Sequence, residues 1–168
     1  ADYADGIGDY FKTGRRVVVL RTFSKIYGLA GLRVGYGIAP ADVVTEIAKV
    51  RRAFDVTSAA QVAALASLGD SAELARRRDE CTRERARVVE ILEAPGFDVA
   101  GPPVANFVYA ETGGEARVLF DALLREGVIV RPLDGFGSTS AIRVTIGTPD
   151  ENAFLADALE KVVSAVTK

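Results

Sequence analysis

Apolar positions along this chain come in short bursts separated by Gly, Pro and charged residues, and their period changes several times. The first informative burst is Val17-Val18-Val19-Leu20, inside residues 15–21. Four apolar residues without alternation predict a strand covered on both faces, as in a parallel sheet. A second strand is expected over 32–38, where Gly35 and Gly37 point to close backbone approach. Ahead of both, residues 1–14 are polar and aromatic, weakly helical, and closed by Gly14.

Helical spacing then takes over. Pro40 starts a helix to about Arg52, with Asp42 in its first turn. Thr57 or Ser58 caps a small-residue helix over 59–68 that stops at Gly69. The longest helix is expected from Ser71 to about Ala94, ended by Pro95-Gly96, with Leu74, Cys81, Val88 and Leu92 on one stripe interrupted by Arg78 and Arg85. Its span of about 24 residues corresponds to ~36 Å, enough to run from one domain into another. The domain boundary is therefore set within it, giving domains 1–85 and 86–168.

Beyond Pro102-Pro103 the pattern predicts a strand over 104–110, a helix over 115–126 stopped by Gly127, and short strands over 128–131 and 141–146. Thr148-Pro149-Asp150-Glu151 is a complete helix start, with a Thr cap, Pro at the first position and Glu closing a capping box. The final helix carries Phe154, Leu155, Ala158, Leu159, Val162 and Val166 on one face. The fold class is α/β: the tail of a larger parallel-sheet domain followed by a small α/β domain.

Composition narrows the chemistry. With 49% hydrophobic and 26% charged residues the chain is ordinary for a globular protein. Its net charge of −2 gives no electrostatic case for nucleic acid or an anionic membrane. The apolar runs fall far short of the roughly 20 residues that cross a bilayer. Histidine is absent and Cys81 is the single cysteine, which argues against an imidazole or thiolate metal site and excludes a Ser–His or Cys–His nucleophile pair within the chain. No secretory signal is visible and no internal disulfide is possible, so a reducing cytoplasm is the expected location. Methionine is also absent, even at position 1, and the chain is read as a piece of something longer. Cys81 is read as packing, Arg76-Arg77-Arg78 and the Asp79/Arg83 pair as a solvated helix face, and Gly6-x-Gly8 as an incomplete dinucleotide fingerprint.

The chemistry concentrates between Arg21 and Gly37, in Arg21-Thr22-Phe23-Ser24-Lys25-Ile26-Tyr27-Gly28-Leu29-Ala30-Gly31-Leu32-Arg33-Val34-Gly35-Tyr36-Gly37. An ordinary lysine, with a pKa of about 10.4, is protonated at neutral pH and is no nucleophile. At a strand end near Arg33 and partly desolvated, Lys25 is expected to hold its proton less tightly. The segment has what a phosphorylated aldehyde needs: an amine for a Schiff base, the hydroxyls of Thr22 and Ser24, backbone amides, and the Arg33 guanidinium. No Gly-x4-Gly-Lys-Ser/Thr sequence is present, so a P-loop does not account for the lysine.

The run from Arg21 to Tyr36 resembles the cofactor-lysine segment of fold-type I pyridoxal-phosphate aminotransferases, specifically the histidinol-phosphate aminotransferase group. That resemblance implies that Lys25 forms the Schiff base with pyridoxal 5′-phosphate, that Thr22 and Ser24 sit beside the cofactor phosphate, and that Arg33 is its guanidinium partner. Val50-Arg51-Arg52-Ala53-Phe54-Asp55-Val56 resembles a family segment that often has Pro and Asn where this chain has Ala53 and Asp55. Residues 102–107 are similar to a family strand with an Asn-Phe pair, which leaves Asn106 with either a structural or a substrate-side role. The resemblance further implies that Arg131 and Arg143 bind the substrate's anionic end, phosphate or carboxylate.

The implied activity is amino-group transfer between histidinol phosphate and 2-oxoglutarate in histidine biosynthesis, by a homodimer with shared active sites. An aromatic amino-acid aminotransferase, a threonine-phosphate decarboxylase and a catalytically inert piece remain as alternatives. The resemblance covers about the C-terminal half of a family member. It therefore places the family's ring-nitrogen aspartate, cofactor-oxygen tyrosine and ring-stacking aromatic before residue 1, and the isolated chain is expected to be inactive.

Overall fold

A computed structural model of the chain describes residues 13–166. The Gly6-x-Gly8 element and nearly all of the weakly helical 1–14 segment lie outside them. The chain divides into two compact units after Arg78, inside its longest helix.

In the first unit, β1 (Val19–Thr22) pairs antiparallel with β2 (Gly35–Ile38), setting Val19 opposite Ile38 and Thr22 opposite Gly35. This corrects the reading of 15–21 as a strand buried on both faces. The strand begins only at Val19, the one buried residue of the run, while Leu20 is 74% exposed. Consecutive side chains point to opposite faces, and here the described residues cover only one of them. The two glycines are explained by that pairing: a Cβ on Gly35 would lie 2.6 Å from the Arg21 carbonyl oxygen, and one on Gly37 3.3 Å from Leu20 Cδ2.

Pro40 precedes α1 (Ala41–Val50), which has Asp42 in its first turn. Thr57 caps α2 (Ser58–Leu68), its Oγ1 accepting from the Ala60 N–H at 3.1 Å, and Gly69 ends the helix. Ala60 and Ala64 from α2 form a small core with Phe23 and Val34, to which Tyr27, Leu29 and Val56 add partial cover. The alanines allow close approach of the helix backbone to the Phe23 ring.

Helix α3 (Ser71–Glu93) passes through the division between the units. On its second half Val88 and Leu92 are fully buried, as their stripe predicts, and Cys81 is half-buried. Arg85 does not break the stripe. It is 8% exposed and donates to the Ala105 carbonyl at 3.2 Å and to Thr82 Oγ1 at 3.1 Å, so its charge enters the interior hydrogen-bonded.

The second unit is built on a four-stranded antiparallel sheet in the order β3 (Asp98–Val99), β4 (Phe107–Glu111), β6 (Ala141–Thr145), β5 (Arg131–Pro132). Two-residue β3 is too short for any periodicity to signal it in the sequence. The strand expected over 128–131 is instead Arg131–Pro132. Pro132 has no N–H for a ladder and is tolerated because β5 is an edge. Val108 and Ala110 of β4 with Ile142 and Val144 of β6 form the buried face. Against it pack Val88 and Leu92 of α3, Leu123 of α4 (Ala116–Arg125), and Leu155, Ala158 and Leu159 of α5 (Pro149–Val166).

The capping box at the start of α5 is formed: the Thr148 N–H donates to Glu151 Oε2 at 2.7 Å and the Glu151 N–H to Thr148 Oγ1 at 3.3 Å. Phe154 departs from its expected place on the inner face and is 51% exposed, lying beside Gly127. The buried position one turn into α5 belongs to Asn152. Its Nδ2 donates to Glu84 Oε2 at 2.7 Å and to the Gly147 carbonyl at 3.1 Å, while its Oδ1 accepts from the Gly147 N–H. The Val166 side chain lies outside the described residues. Among the described residues no helix is long and apolar enough to cross a membrane.

Candidate active site

The connection from β1 to β2 is a tightly bonded loop. Phe23 anchors it, 4% exposed, with its ring 4.8 Å from that of Tyr27 and 6.0 Å from that of Tyr36. The Phe23 N–H donates to the Val34 carbonyl at 3.1 Å and its carbonyl accepts from the Leu29 N–H at 2.9 Å. The Gly28 N–H donates to the Lys25 carbonyl at 2.8 Å, closing a turn in which Gly28 has φ +73°. Lys25 thus sits on a short bulge whose two ends are fastened to the core. Its side chain is exposed, so the partial desolvation expected from sequence is absent in the described chain.

Thr22 and Ser24 flank that lysine. Thr22 Oγ1 accepts from the Ser24 N–H at 3.0 Å, a short side-chain turn that leaves the threonine hydroxyl hydrogen free to donate. A 3₁₀ turn, Ala30–Leu32, delivers the chain to Arg33, which adopts a left-handed conformation at φ 52°. That conformation is uncommon for a residue with a side chain and costs of order 1 kcal/mol. Arg33 NH1 donates to the Ala30 carbonyl at 2.8 Å, which uses one donor of the guanidinium and leaves the others available. An amine, two hydroxyls and a guanidinium thus lie on one glycine-rich connection, a donor set suited to a phosphorylated carbonyl compound.

The sequence places Arg77 on a solvated helix face, and the structure corrects this. Its NH1 donates to the carbonyl of Ile26 at 3.0 Å and lies where a Cβ on Gly28 would come to 2.7 Å. Its Nε is held by Glu73 Oε1 at 2.7 Å. Hydrogen bonds from Arg76 and then Arg77 keep the Glu73 carboxyl down at about 2, below its usual 4.5. No sequence signal marks this contact, because it joins residues 51 positions apart.

Arg131 and Arg143 stand on the second unit. They are opposite one another in the β5–β6 register, and Arg143 is also opposite Tyr109 of β4. Strand alternation puts all three on the sheet face away from Val108 and Ile142. The Arg143 guanidinium lies 5.1 Å from the centre of the Phe107 ring, and its Nε is buried without a hydrogen-bond partner. Both arginines line an open basin of ≈ 450 Å³ together with Arg117, Asp134 and Thr145. Asn106 is exposed, and its carbonyl accepts from the Ile146 N–H at 3.1 Å, extending the β4–β6 pairing by one bond.

Further along the same face, Glu111 accepts from Ser140 Oγ at 2.6 Å and from the Tyr109 hydroxyl. Those two bonds, the serine's first, hold the Glu111 carboxyl below its usual range, while the carboxylate pushes the Tyr109 hydroxyl up. No motif in the sequence marks this network, nor the Arg117–Asp134 pair.

Residues 3–159 match the profile of the family described as Aminotransferase class I and II. A histidinol-phosphate aminotransferase of an Anaeromyxobacter species is 48% identical over 150 residues, 89% of this chain and 41% of the relative. An aromatic amino acid aminotransferase of Rhodococcus opacus is 49% identical over 153 residues, 90% of this chain and 41% of that protein. The crystal structure of histidinol-phosphate aminotransferase from Sinorhizobium meliloti in complex with pyridoxal-5′-phosphate superposes with a TM-score of 0.81 at 30% identity, covering 89% of this chain and 42% of that one. The chain spans about two fifths of the length of these relatives.

Proposed function

This chain belongs to the class I and II aminotransferase family, with the fold-type I α/β architecture, and we propose that it supplies the C-terminal part of a pyridoxal-phosphate-dependent aminotransferase. The first unit is assigned to the larger cofactor-binding domain and the second to the smaller domain, with the boundary inside α3. The protein is proposed to act in the cytoplasm as a homodimer. The single observation that carries the reading is the β1–β2 connection, where an exposed lysine amine, the Thr22 and Ser24 hydroxyls and the Arg33 guanidinium fit the aldehyde and phosphate ends of pyridoxal phosphate.

Pyridoxal phosphate, when bound, supplies an electron sink for the pair left behind as a proton leaves the carbon bearing nitrogen. The rest of the work falls to the protein. Thr22, Ser24 and Arg33 would hold the phosphate, and Lys25 would present its amine to the aldehyde. Lys25 Nζ would also be the base that takes that proton and later returns it. Arg131 and Arg143 bind the substrate's anionic end as planar, permanently charged forks.

Histidinol phosphate with 2-oxoglutarate is the proposed substrate pair, in histidine biosynthesis. An aromatic amino acid is the second reading, favoured by the similarity to the Rhodococcus opacus protein. Borohydride reduction of the full-length protein loaded with pyridoxal phosphate, followed by peptide mapping, tests the core of this proposal. The pyridoxyl mass should fall on Lys25; a label on another residue, or none, overturns it. Turnover of histidinol phosphate compared with that of phenylalanine decides between the two substrates.

A further inference from the structure

The basin beside Arg131 and Arg143 contains a third arginine. Arg117 projects from α4, and its NH2 donates to Asp134 Oδ2 at 2.8 Å. Asp134 is the one acid lining the basin, so three guanidiniums against one carboxylate leave it with two net positive charges. Two further observations mark the basin as a place for an anion. Arg143 lines the basin while its Nε is buried with no partner, so the protein itself leaves this cation's hydrogen-bonding capacity partly unmet. Arg131 is exposed and opposite Arg143, so their forks reach the same volume from adjacent strands.

We propose that Arg117 is a specificity-determining residue of this basin, one that favours a phosphate monoester over a carboxylate as the anionic end of the substrate, with Asp134 holding it at the rim until the anion arrives. The inference rests on the reading of Arg131 and Arg143 as substrate-anion ligands and deepens it. A carboxylate carries one charge and is satisfied by a single fork. A phosphate monoester at neutral pH carries nearly two charges and three acceptor oxygens, enough to engage three guanidiniums. Arg117 is on α4 rather than on the sheet, so its removal leaves the Arg131–Arg143 pair in place.

The test is binding of inorganic phosphate and of acetate to the full-length protein at about pH 8, where phosphate is close to a dianion. Titration calorimetry on Arg117→Gln should show phosphate weakened roughly three- to tenfold, a discount on a buried pair because the site is open. Acetate should change less than about twofold, and Arg117→Lys should keep most of the phosphate affinity. Arg143→Gln should weaken both probes. If Arg117→Gln leaves the phosphate-to-acetate ratio unchanged while Arg143→Gln weakens both, this inference fails and the underlying reading stands. If Arg143→Gln weakens neither, both fail.

Discussion

At the scale of single residues the Lys25 loop depends on small contacts that either fit or do not. Gly35 has the Arg21 carbonyl oxygen 2.6 Å from where a Cβ would be, while Gly31 has nothing within 4 Å. Gly35→Ala should therefore push β1 and β2 apart and cost about 1–3 kcal/mol in chemical denaturation, with Gly31→Ala close to neutral. Equal effects would remove the close-packing argument. The pH response of the loop is set by Glu73. Its carboxyl is held down at about 2 from an ordinary 4.5, so its bonds contribute stability above the ordinary value. That contribution is lost as pH falls through about 2, and with it the bond that holds Arg77 on the Ile26 carbonyl. The Gly28 amide resonance should shift as acid is added through this window, and Glu73→Gln should abolish that titration. Close approach at Gly35 was legible because it follows from a glycine within a strand. The Arg77 contact was not, because nothing local records a pairing across 51 residues.

Elements were legible where a cap or a stripe is complete in the sequence. Thr57 ahead of α2 and Thr148 ahead of α5 announce themselves through hydroxyl position and following residues, and both hydrogen bonds form. Thr148→Ala should lower stability by about 1 kcal/mol, and a change under ~0.3 kcal/mol would mean that Pro149 alone sets the helix start. Periodicity misled at Phe154 because a face wide enough to accept it on paper ends at the flank of α5, beside Gly127. It is silent on Asn152 and marks Arg85 only as an interruption of its stripe, since polar residues are buried only where distant partners satisfy them: Glu84 and Gly147 for the first, Ala105 for the second. The orientation of β1 was misread for a related reason. An unbroken apolar run reports that both faces are apolar and says nothing about which strand lies alongside.

Across the whole molecule the two units differ in how much core they own. The second buries Val88, Leu92, Val108, Leu123, Ile142 and Leu159 around a four-stranded sheet. The first has Phe23, Val34 and two alanines around a two-stranded ribbon, and a ribbon of that size is marginal without further cover. It also leaves Leu20, Val50, Phe54, Val62 and Leu65 at least 68% exposed. Those exposed apolar side chains are in keeping with the proposal that the active enzyme is longer than this chain. Local opening free energy follows buried contact, so native-state hydrogen exchange of the 168-residue chain should rank the units. Amides of β4 and β6, such as Val108 and Val144, should exchange at least about tenfold more slowly than those of Arg21 and Tyr36 in β1 and β2, a gap of ~1.4 kcal/mol in opening free energy. Equal protection would mean that the ribbon draws its stability from something other than its own small core. The exposed apolar positions would then carry no argument for a longer enzyme. Adding the proposed N-terminal part should raise β1–β2 protection more than that of the second sheet, because among the described residues most of the strongly exposed apolar positions lie in the first unit.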